Sequence, residues 1–273
     1  MDNNLLALCD SSELSEIQVA SLRGLLQKFS PAGEGPMGLD VDEGLTGPLT
    51  MPNLKIKQRM TTDVGCPDEA HDGDLYITSG DLVESPLKCT PLYVWTSHIM
   101  WEPSGGRNIE CQSPDGKMGS VYGACKECPN MPWRDGKKQA CAKTLNAIII
   151  SENMDLTQTR FSGSSYTAGK NLVKFVRSLP EMWNKFYLLG TEKRKNDKGE
   201  FYIFDVRATT ESPSGDFQKV AKHLCEQISD ARKSMISDFY TRVEEGTAGT
   251  TEAENGEVKV TVINSEPSYD EDM

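Results

Sequence analysis

The sequence predicts an α+β protein that is mainly β. Between residues 51 and 210, six runs of β-branched or aromatic residues are bounded by turn residues, and one helical pattern interrupts them. Further helical patterns occupy residues 10–29 and 214–243, on either side of the strand-rich part. Five or six strands with one inserted helix fit a small closed β-barrel with flanking helices better than a doubly wound sheet.

The first segment, residues 1–49, predicts a helix followed by an acidic linker. Ser11 and Ser12 favour a helix start, and the stretch SPAGEGPMGLDVDEGLTGP is rich in the Gly and Pro of flexible linkers. The sequence leaves open whether this helix mediates self-association or docks on the core. Its apolar face consists of Leu14, Ile17, Leu22, Leu25 and Phe29.

The second segment, residues 50–243, predicts the folded core. Its strands are LKIKQRM, DLYITSG, PLYVWTSHIMW, TLNAIIIS, KFYLLGTEKRK and EFYIFDVRA, and Gly199 suits the hairpin turn between the last two. The helix in TAGKNLVKFVRSLP ends at Pro180, and Ser212 and Pro213 favour the start of the long helix after it. This pattern is typical of an OB-like barrel, here with a Cys-rich insertion at about 111–141.

Charge is distributed unevenly around a net value of −12. The first 50 residues carry eight acidic and two basic side chains, and residues 244–273 carry nine and one. Residues 117–207 carry 16 basic and nine acidic side chains. The acidity therefore lies at the two ends, and residues 244–273 predict a disordered acidic tail beside a basic middle.

Four of the eight cysteines are clustered. The chain has no apolar run of about 20 residues and no basic n-region at its start, so we expect a cytoplasmic, reducing environment. Clustered cysteines there more often bind metal than form disulfides. The spacing C-x13-C-x2-C-x12-C predicts a structural Zn²⁺ site with His98 as an alternative ligand, and the four thiolates are Cys111, Cys125, Cys128 and Cys141.

Other chemistries find little support in the sequence. A redox Cys pair needs a helix start within a βαβ unit, and Pro129 and Pro132 follow this pair instead. GSSYTAGKN departs from a phosphate-binding loop in its Gly spacing and in having Asn171 where magnesium needs Ser or Thr. Four thiolates leave a zinc ion no open position for water, so we predict no catalytic residues and no enzymatic activity.

Basic and aromatic side chains alternate in three stretches, as they do in proteins that hold single-stranded nucleic acid. Cations follow the phosphates and rings stack on the bases. For each stretch the simpler interpretation is a solvated turn or core aromatics. The predicted contacts are Trp133, Arg134, Lys137, Lys138, Lys143, Arg160, Phe161, Tyr166, Lys170, Lys174, Lys193, Arg194, Lys195, Lys198 and Tyr202.

The chain resembles bacteriophage single-stranded DNA-binding proteins. The resemblance is carried by CQSPDGKMGSVYGACKECPNMPWRDGKKQAC, by RFSGSSYTAGKNL with its following hairpin, and by the acidic ending SEPSYDEDM. It implies sequence-independent binding of single-stranded DNA in replication, recombination or repair, in the host cytoplasm if the protein is phage-encoded. It also implies that the tail, with Tyr269, Asp270, Glu271 and Asp272 at its tip, recruits DNA polymerase, helicase or RNA polymerase.

A second class of function stays open beside this one. A zinc-ribbon accessory factor of transcription or recombination would use the same cysteines and tail but act through protein–protein contacts. Affinity for an oligothymidine strand at low and moderate salt separates the two classes.

Overall fold

The structure of the protein, a computed structural model, describes residues 15–16, 18–19, 51–61, 65–102, 109–131, 140–197 and 199–246, and the backbone of 251–254 and 257–260. None of the helices in these ranges is long and apolar enough to cross a membrane. The strands are β1 Asn53–Ile56, β2 Leu75–Ile77, β3 Leu82–Val83, β4 Leu87–Trp101, β5 Ile109–Ser113, β6 Met118–Gly119, β7 Gly123–Ala124, β8 Cys141–Ser151, β9 Leu156–Phe161, β10 Tyr187–Asn196, β11 Gly199–Ala208, β12 Thr251–Glu254 and β13 Glu257–Val260, and the helices are α1 Tyr166–Val176 and α2 Gly215–Glu244.

The prediction of an α+β, mainly β protein is confirmed. The chain divides into two units, the first made of Met1–Val94 and Asn146–Ile228 and the second of Trp95–Leu145 and Ser229–Met273. The main sheet has the strand order β11-β10-β4-β8-β9-β1-β2-β3. Within it β4, β8 and β9 are neighbours in order, and β10 returns after α1 to lie beside β4, which is the connectivity of a Greek key.

In the first unit the sheet curls until its two ends approach each other. The Gln58 amide, just after β1, accepts a hydrogen bond from the backbone N–H of Tyr202 at 2.9 Å and donates one to its carbonyl at 2.7 Å. The Thr191 hydroxyl on β10 donates to the carbonyl of Gly73 at 2.8 Å. The Gln58 side chain thus pairs with the backbone N–H and C=O of Tyr202 on the outer edge of β11. In a complete barrel, a neighbouring strand would make these hydrogen bonds instead.

The core of the first unit explains why these segments form strands and helices. The run Ala147–Ile150 of β8 is buried on both faces, as expected for a central strand. Two helices contribute to the same core: α1 buries Leu172 and Val176, and α2 buries Phe217 and Val220, at helical spacing. The Phe217 ring meets Phe186 edge to face at a centroid distance of 5.3 Å.

The two helices predicted within the core are present, with small differences in their bounds, and the first ends at Val176 rather than at Pro180. The long helix begins at Gly215 rather than 214, and its cap is Ser214 rather than Ser212, because the Phe217 N–H donates to Ser214 Oγ at 3.3 Å. At the N-terminus Ser15 makes a cap with Gln18, whereas Ser11 and Ser12 lie outside the described residues. Most of the predicted N-terminal helix lies outside the described residues.

The second unit contains a long excursion between β4 and β8. The end of β4 pairs with β5, with a register shift at Met100 and Trp101, and β6 and β7 form a two-stranded hairpin. Where the sequence predicts a disordered tail, β12 and β13 pair antiparallel. The remaining tail, including Tyr269, Asp270, Glu271 and Asp272, lies outside the described residues.

We expect Lys88→Met to destabilise the first unit by about 1 kcal/mol, since partly exposed ion pairs contribute little each. Lys88, at the start of β4, pairs with Glu152 at 3.2 Å and with Glu211, and its ammonium lies 5.0 Å from the Phe186 ring centroid. Its pKa is raised from 10.5, chiefly by the hydrogen bond with Glu211. The contribution should therefore be complete below the unfolded-state pKa and should disappear as pH rises through the folded-state pKa.

Urea denaturation of wild type and Lys88→Met from pH 7 to pH 11 measures this contribution. The difference in unfolding free energy should be constant up to about pH 10 and should shrink above it. Lys222→Met, on an exposed position of α2, is the matched control and should leave stability unchanged. A difference that grows with pH would contradict the assignment.

Candidate metal centre and nucleic-acid interface

The four clustered cysteines surround one small cavity in the second unit. Cys111 lies on β5, Cys125 and Cys128 follow β7, and Cys141 begins β8. All four are buried, and the cavity of about 10 Å³ has room for a single small ion or water. Backbone hydrogen bonds shape the turn, from Cys128 N–H to the Cys125 carbonyl at 3.4 Å and from Cys141 N–H to the Asn130 carbonyl at 3.2 Å.

The thiols are not arranged as metal ligands in this structure. All four are free, and among the described residues no group of three or more His, Cys, Asp or Glu side chains has an arrangement that would hold a metal ion. Burial, and next the neighbouring Cys111, Cys128 and Cys125, raise the pKa of Cys141 to about 12. Burial also raises the pKa of Cys125. The four cysteines therefore converge on one cavity, where burial disfavours the thiolate forms of Cys125 and Cys141.

His98 lies on the wall of the same cavity. The side chain is 6% exposed, and neither ring nitrogen has a hydrogen-bond partner. Burial, more than the nearby Lys143, lowers its pKa. An unpartnered neutral imidazole in a buried site is costly unless something binds it. His98 is therefore as good a candidate for the fourth metal ligand as Cys141.

Gly119 fits the cavity because it has no side chain. A Cβ at this position would come within 2.8 Å of the Cys111 sulfur. Real Cβ atoms do not approach a sulfur so closely, so Ala would push the Cys111 thiol out of the cavity. The side chains that line the cavity thus have the donor atoms and the small space that suit an ion, but their arrangement in this structure is not that of metal ligands.

The second half of α2 holds the loop that carries the cysteines. The Arg232 guanidinium lies 4.2 Å from the Trp95 ring centroid and donates to the Pro114 carbonyl at 3.0 Å. The Tyr240 hydroxyl donates to the Asp115 carboxylate at 2.5 Å. These contacts attach both the sheet and the loop of the second unit to one helix.

Few of the predicted nucleic-acid contacts near the cysteines can be placed. Lys143 is exposed on β8, two residues after Cys141. Two exposed aromatic side chains that the sequence reasoning missed are Trp101, 49% exposed, and Tyr122, 38% exposed, whose hydroxyl donates to Glu110. Trp133, Arg134, Lys137 and Lys138 lie outside the described residues.

In the first unit, the predicted basic hairpin is formed by β10 and β11. Lys193, Arg194 and Lys195 are exposed on β10, and Lys198 lies outside the described residues. Lys193 pairs with Glu200 at 2.7 Å, and Arg194 pairs with Glu192 at 2.8 Å. Because these ion pairs are exposed, a phosphate could replace the carboxylates at little cost.

A groove of about 400 Å³ runs along the start of β11. We call it the β11 groove. Tyr202 and Phe201 line one side, and the backbone of Tyr202 is held by Gln58. Arg59 and Met60, which the sequence reasoning missed, line it as well, and Met60 is 86% exposed. Ser162, Ser164 and Ser165, between β9 and α1, also line it, and Glu200 and Ile203 of β11 complete the lining.

The remaining predicted contacts lie on β9 and α1. Arg160 is exposed on β9, and Lys170 and Lys174 are exposed on successive turns of α1, with the Lys170 ammonium 5.7 Å from the Tyr166 ring centroid. The prediction of Phe161 as a nucleic-acid contact is wrong. It is 1% exposed and packs edge to face on Phe204 at 5.3 Å, so no base can stack on its ring.

Comparison of the chain with protein-family models, with curated proteins and with solved structures finds no match.

Proposed function

We propose that this chain is a sequence-independent single-stranded DNA-binding protein with an OB-like core, a structural zinc site and an acidic tail. The observation that carries the proposal is the Greek-key order β11-β10-β4-β8-β9, combined with a basic hairpin at its fourth and fifth strands. On this proposal, as in the bacteriophage proteins that the sequence resembles, it coats single strands during replication, recombination or repair.

The strand order supports an OB-like core in a specific way. OB-folds are five-stranded Greek-key barrels that bind oligonucleotides with the face of strands 2 and 3 and with the loops L12 and L45. Counted in chain order, β4, β8, β9, β10 and β11 are strands 1 to 5, and α1 lies between strands 3 and 4. L12 is then the Cys-rich excursion, and L45 is the tip of the basic hairpin.

The β11 groove has the chemistry that a single strand needs. Arg59 offers a cation, Tyr202 and Phe201 offer rings, and three serines offer hydroxyl donors. Every base has a π-face, so stacking on rings does not depend on sequence. The cations of the hairpin extend the binding surface along β10, where phosphates would displace Glu192 and Glu200.

Zinc is the metal that suits the cysteine cavity. Tetrahedral sites of Cys₄ or Cys₃His composition are typical structural zinc sites, and both sets are available at this cavity. Cys111, Cys125 and Cys128 belong to both sets, and the fourth ligand is either Cys141 or His98. A closed site of this kind would stiffen the loop and offers no position for catalysis.

The alternative, a zinc-ribbon accessory factor, is favoured by one observation. Trp101, Val121 and Tyr122 are exposed on the second unit, and exposed apolar side chains are common at protein–protein contacts. The same rings would also serve for stacking on bases, so binding of DNA decides between the two functions.

The deciding measurement is fluorescence anisotropy with labelled oligothymidine and duplex DNA across a salt series. We expect tight binding to the single strand only, with affinity falling steeply as salt rises. Lys195→Gln should reduce the slope of log K against log salt by about 0.7, the value for one lost phosphate contact on a single strand. Lys222→Gln, exposed on α2, is the control and should not change the slope. Equal affinity for duplex, or no binding, would reject the proposal.

A further inference from the structure

The first unit has a second groove, which differs from the β11 groove in charge. It has a volume of about 750 Å³ and lies between the β1–β3 strands and the turn that joins β8 to β9. We call it the β3 groove. Apolar side chains line it, including Leu54, Ile77, Leu82, Leu87, Leu156 and Leu188. Leu82 is 43% exposed at the edge of this groove.

The rim of the β3 groove is acidic. Asp81, Glu84, Glu152 and Asp155 line it, whereas Lys88, its only basic lining residue among those described, is already paired with Glu152 and Glu211. A polyanion would be repelled here, so nucleic acid does not fit this groove. An apolar segment of protein fits it better.

The first turn of the N-terminal helix is at this rim. The Gln18 side-chain amide donates a hydrogen bond to the Glu152 carbonyl at 2.7 Å. Its oxygen accepts one from the Ser15 N–H at 2.9 Å, and Ser15 Oγ accepts one from the Gln18 N–H at 3.2 Å. This reciprocal pair is a capping box, so Gln18 both starts the helix and contacts the groove.

Gln18 is not one of the predicted apolar residues, but it lies on the same helical face as Leu22, Leu25 and Phe29 in the predicted helix. Residues 14, 18, 22, 25 and 29 are separated by four, four, three and four positions, which keeps them on one helical face. A helix with the predicted period has positions 22, 25 and 29 on the same face as position 18, and in the structure it is Gln18 that contacts Glu152 at the rim of the β3 groove.

We propose that the β3 groove is the docking site of the chain's own N-terminal helix, which begins at Ser15 and covers Leu82 with its apolar stripe. The connection allows this in a single chain. The helix pattern ends near Phe29 and the groove begins at Pro52, and the residues between them can extend to about 70 Å. The inference does not depend on the binding of DNA.

Gln18→Glu separates the two roles of this residue. Glu at this position still completes the capping box, so the helix should form, but it cannot donate to the Glu152 carbonyl and adds a charge beside an acidic rim. Gln27→Glu is the matched control, because position 27 lies on the opposite face of the predicted helix. Leu82→Ser tests the groove side at an exposed position.

The measurement is amide hydrogen exchange of residues 152–155 and 82–84 in the full chain. Gln18→Glu should speed exchange about fivefold, the factor typical of one lost hydrogen bond, and Leu82→Ser should speed it at least as much. Gln27→Glu should exchange like wild type. Circular dichroism should show the same helix content in all three variants.

Two results would overturn the docking. If Gln18→Glu and Leu82→Ser both exchange like wild type, nothing covers the groove. If protection appears only at concentrations where light scattering shows dimers, the helix comes from a second copy instead. Protection that is independent of concentration in a monomer supports docking within one chain.

Discussion

Cys125→Ser and Cys128→Ser are each expected to abolish zinc binding and to unfold the second unit. Structural zinc contributes folding free energy directly, on the order of 10 kcal/mol in small zinc domains. Among the described residues, the apolar cluster at the cavity is small and consists of Met100, Cys111 and Cys141 with Met131 against it. Without the metal, this cluster and the contacts from α2 are what remains to order the loop.

Zinc content and melting temperature measure the effect. Wild-type protein should carry about one zinc per chain, the stoichiometry of a single tetrahedral site, and a chelator should lower its melting temperature. Cys66→Ser, at a half-buried cysteine of the first unit, is the matched control and should retain the metal. Wild-type protein without zinc, or with an unchanged melting temperature after chelation, would contradict the metal site.

The same experiment identifies the fourth ligand. If Cys141 is a ligand, Cys141→Ser should lose zinc and His98→Phe should keep it, and the reverse holds if His98 is the ligand. Cobalt substitution gives an independent readout, since the thiolate charge-transfer absorption grows with the number of sulfur ligands. Gly119→Ala should weaken metal binding in either case, because its Cβ would displace the Cys111 sulfur.

The sequence predicted the strands with longer runs of β-branched or aromatic residues and missed shorter ones, among them β3, β5, β6, β7 and β9. β9 lacks apolar alternation because its buried positions Thr157 and Thr159 are polar, although threonine itself favours strands. Because β9 was missed, Phe161 at its end was interpreted as a surface ring next to Arg160. Burial of a ring depends on the strand face, and the face is known only once the strand is assigned.

The candidate site shows the same limit. The Cys spacing predicted four residues that do line one cavity, because short spacings determine which side chains can meet. His98 comes from another strand, and only the pairing of β4 with β5 shows that it is close. In the tail, high acidity predicted disorder, whereas the dipeptide Asn255-Gly256 is a hairpin signal, and β12 and β13, before and after it in the sequence, pair antiparallel.

Removal of residues 247–273 is expected to tighten binding to oligothymidine by about tenfold at low salt, because a tethered polyanion at millimolar effective concentration competes for the basic surface. The cut preserves α2, whose end is closed by the Gly246 N–H donating to the Val243 carbonyl at 3.1 Å. Seven acidic side chains and one basic side chain are removed with the tail.

The gain in affinity should come from loss of the tail's negative charge and not from loss of its length. A full-length variant with Glu266→Gln, Asp270→Asn, Glu271→Gln and Asp272→Asn should gain part of this affinity, because it loses four tail charges but keeps the length of the tail. The gain should fade as salt rises, since the Debye length falls from about 30 Å at 0.01 M to about 8 Å at 0.15 M. Unchanged or weaker affinity in the truncated protein would show that the tail does not compete with DNA, and its acidity would then serve its protein partners alone.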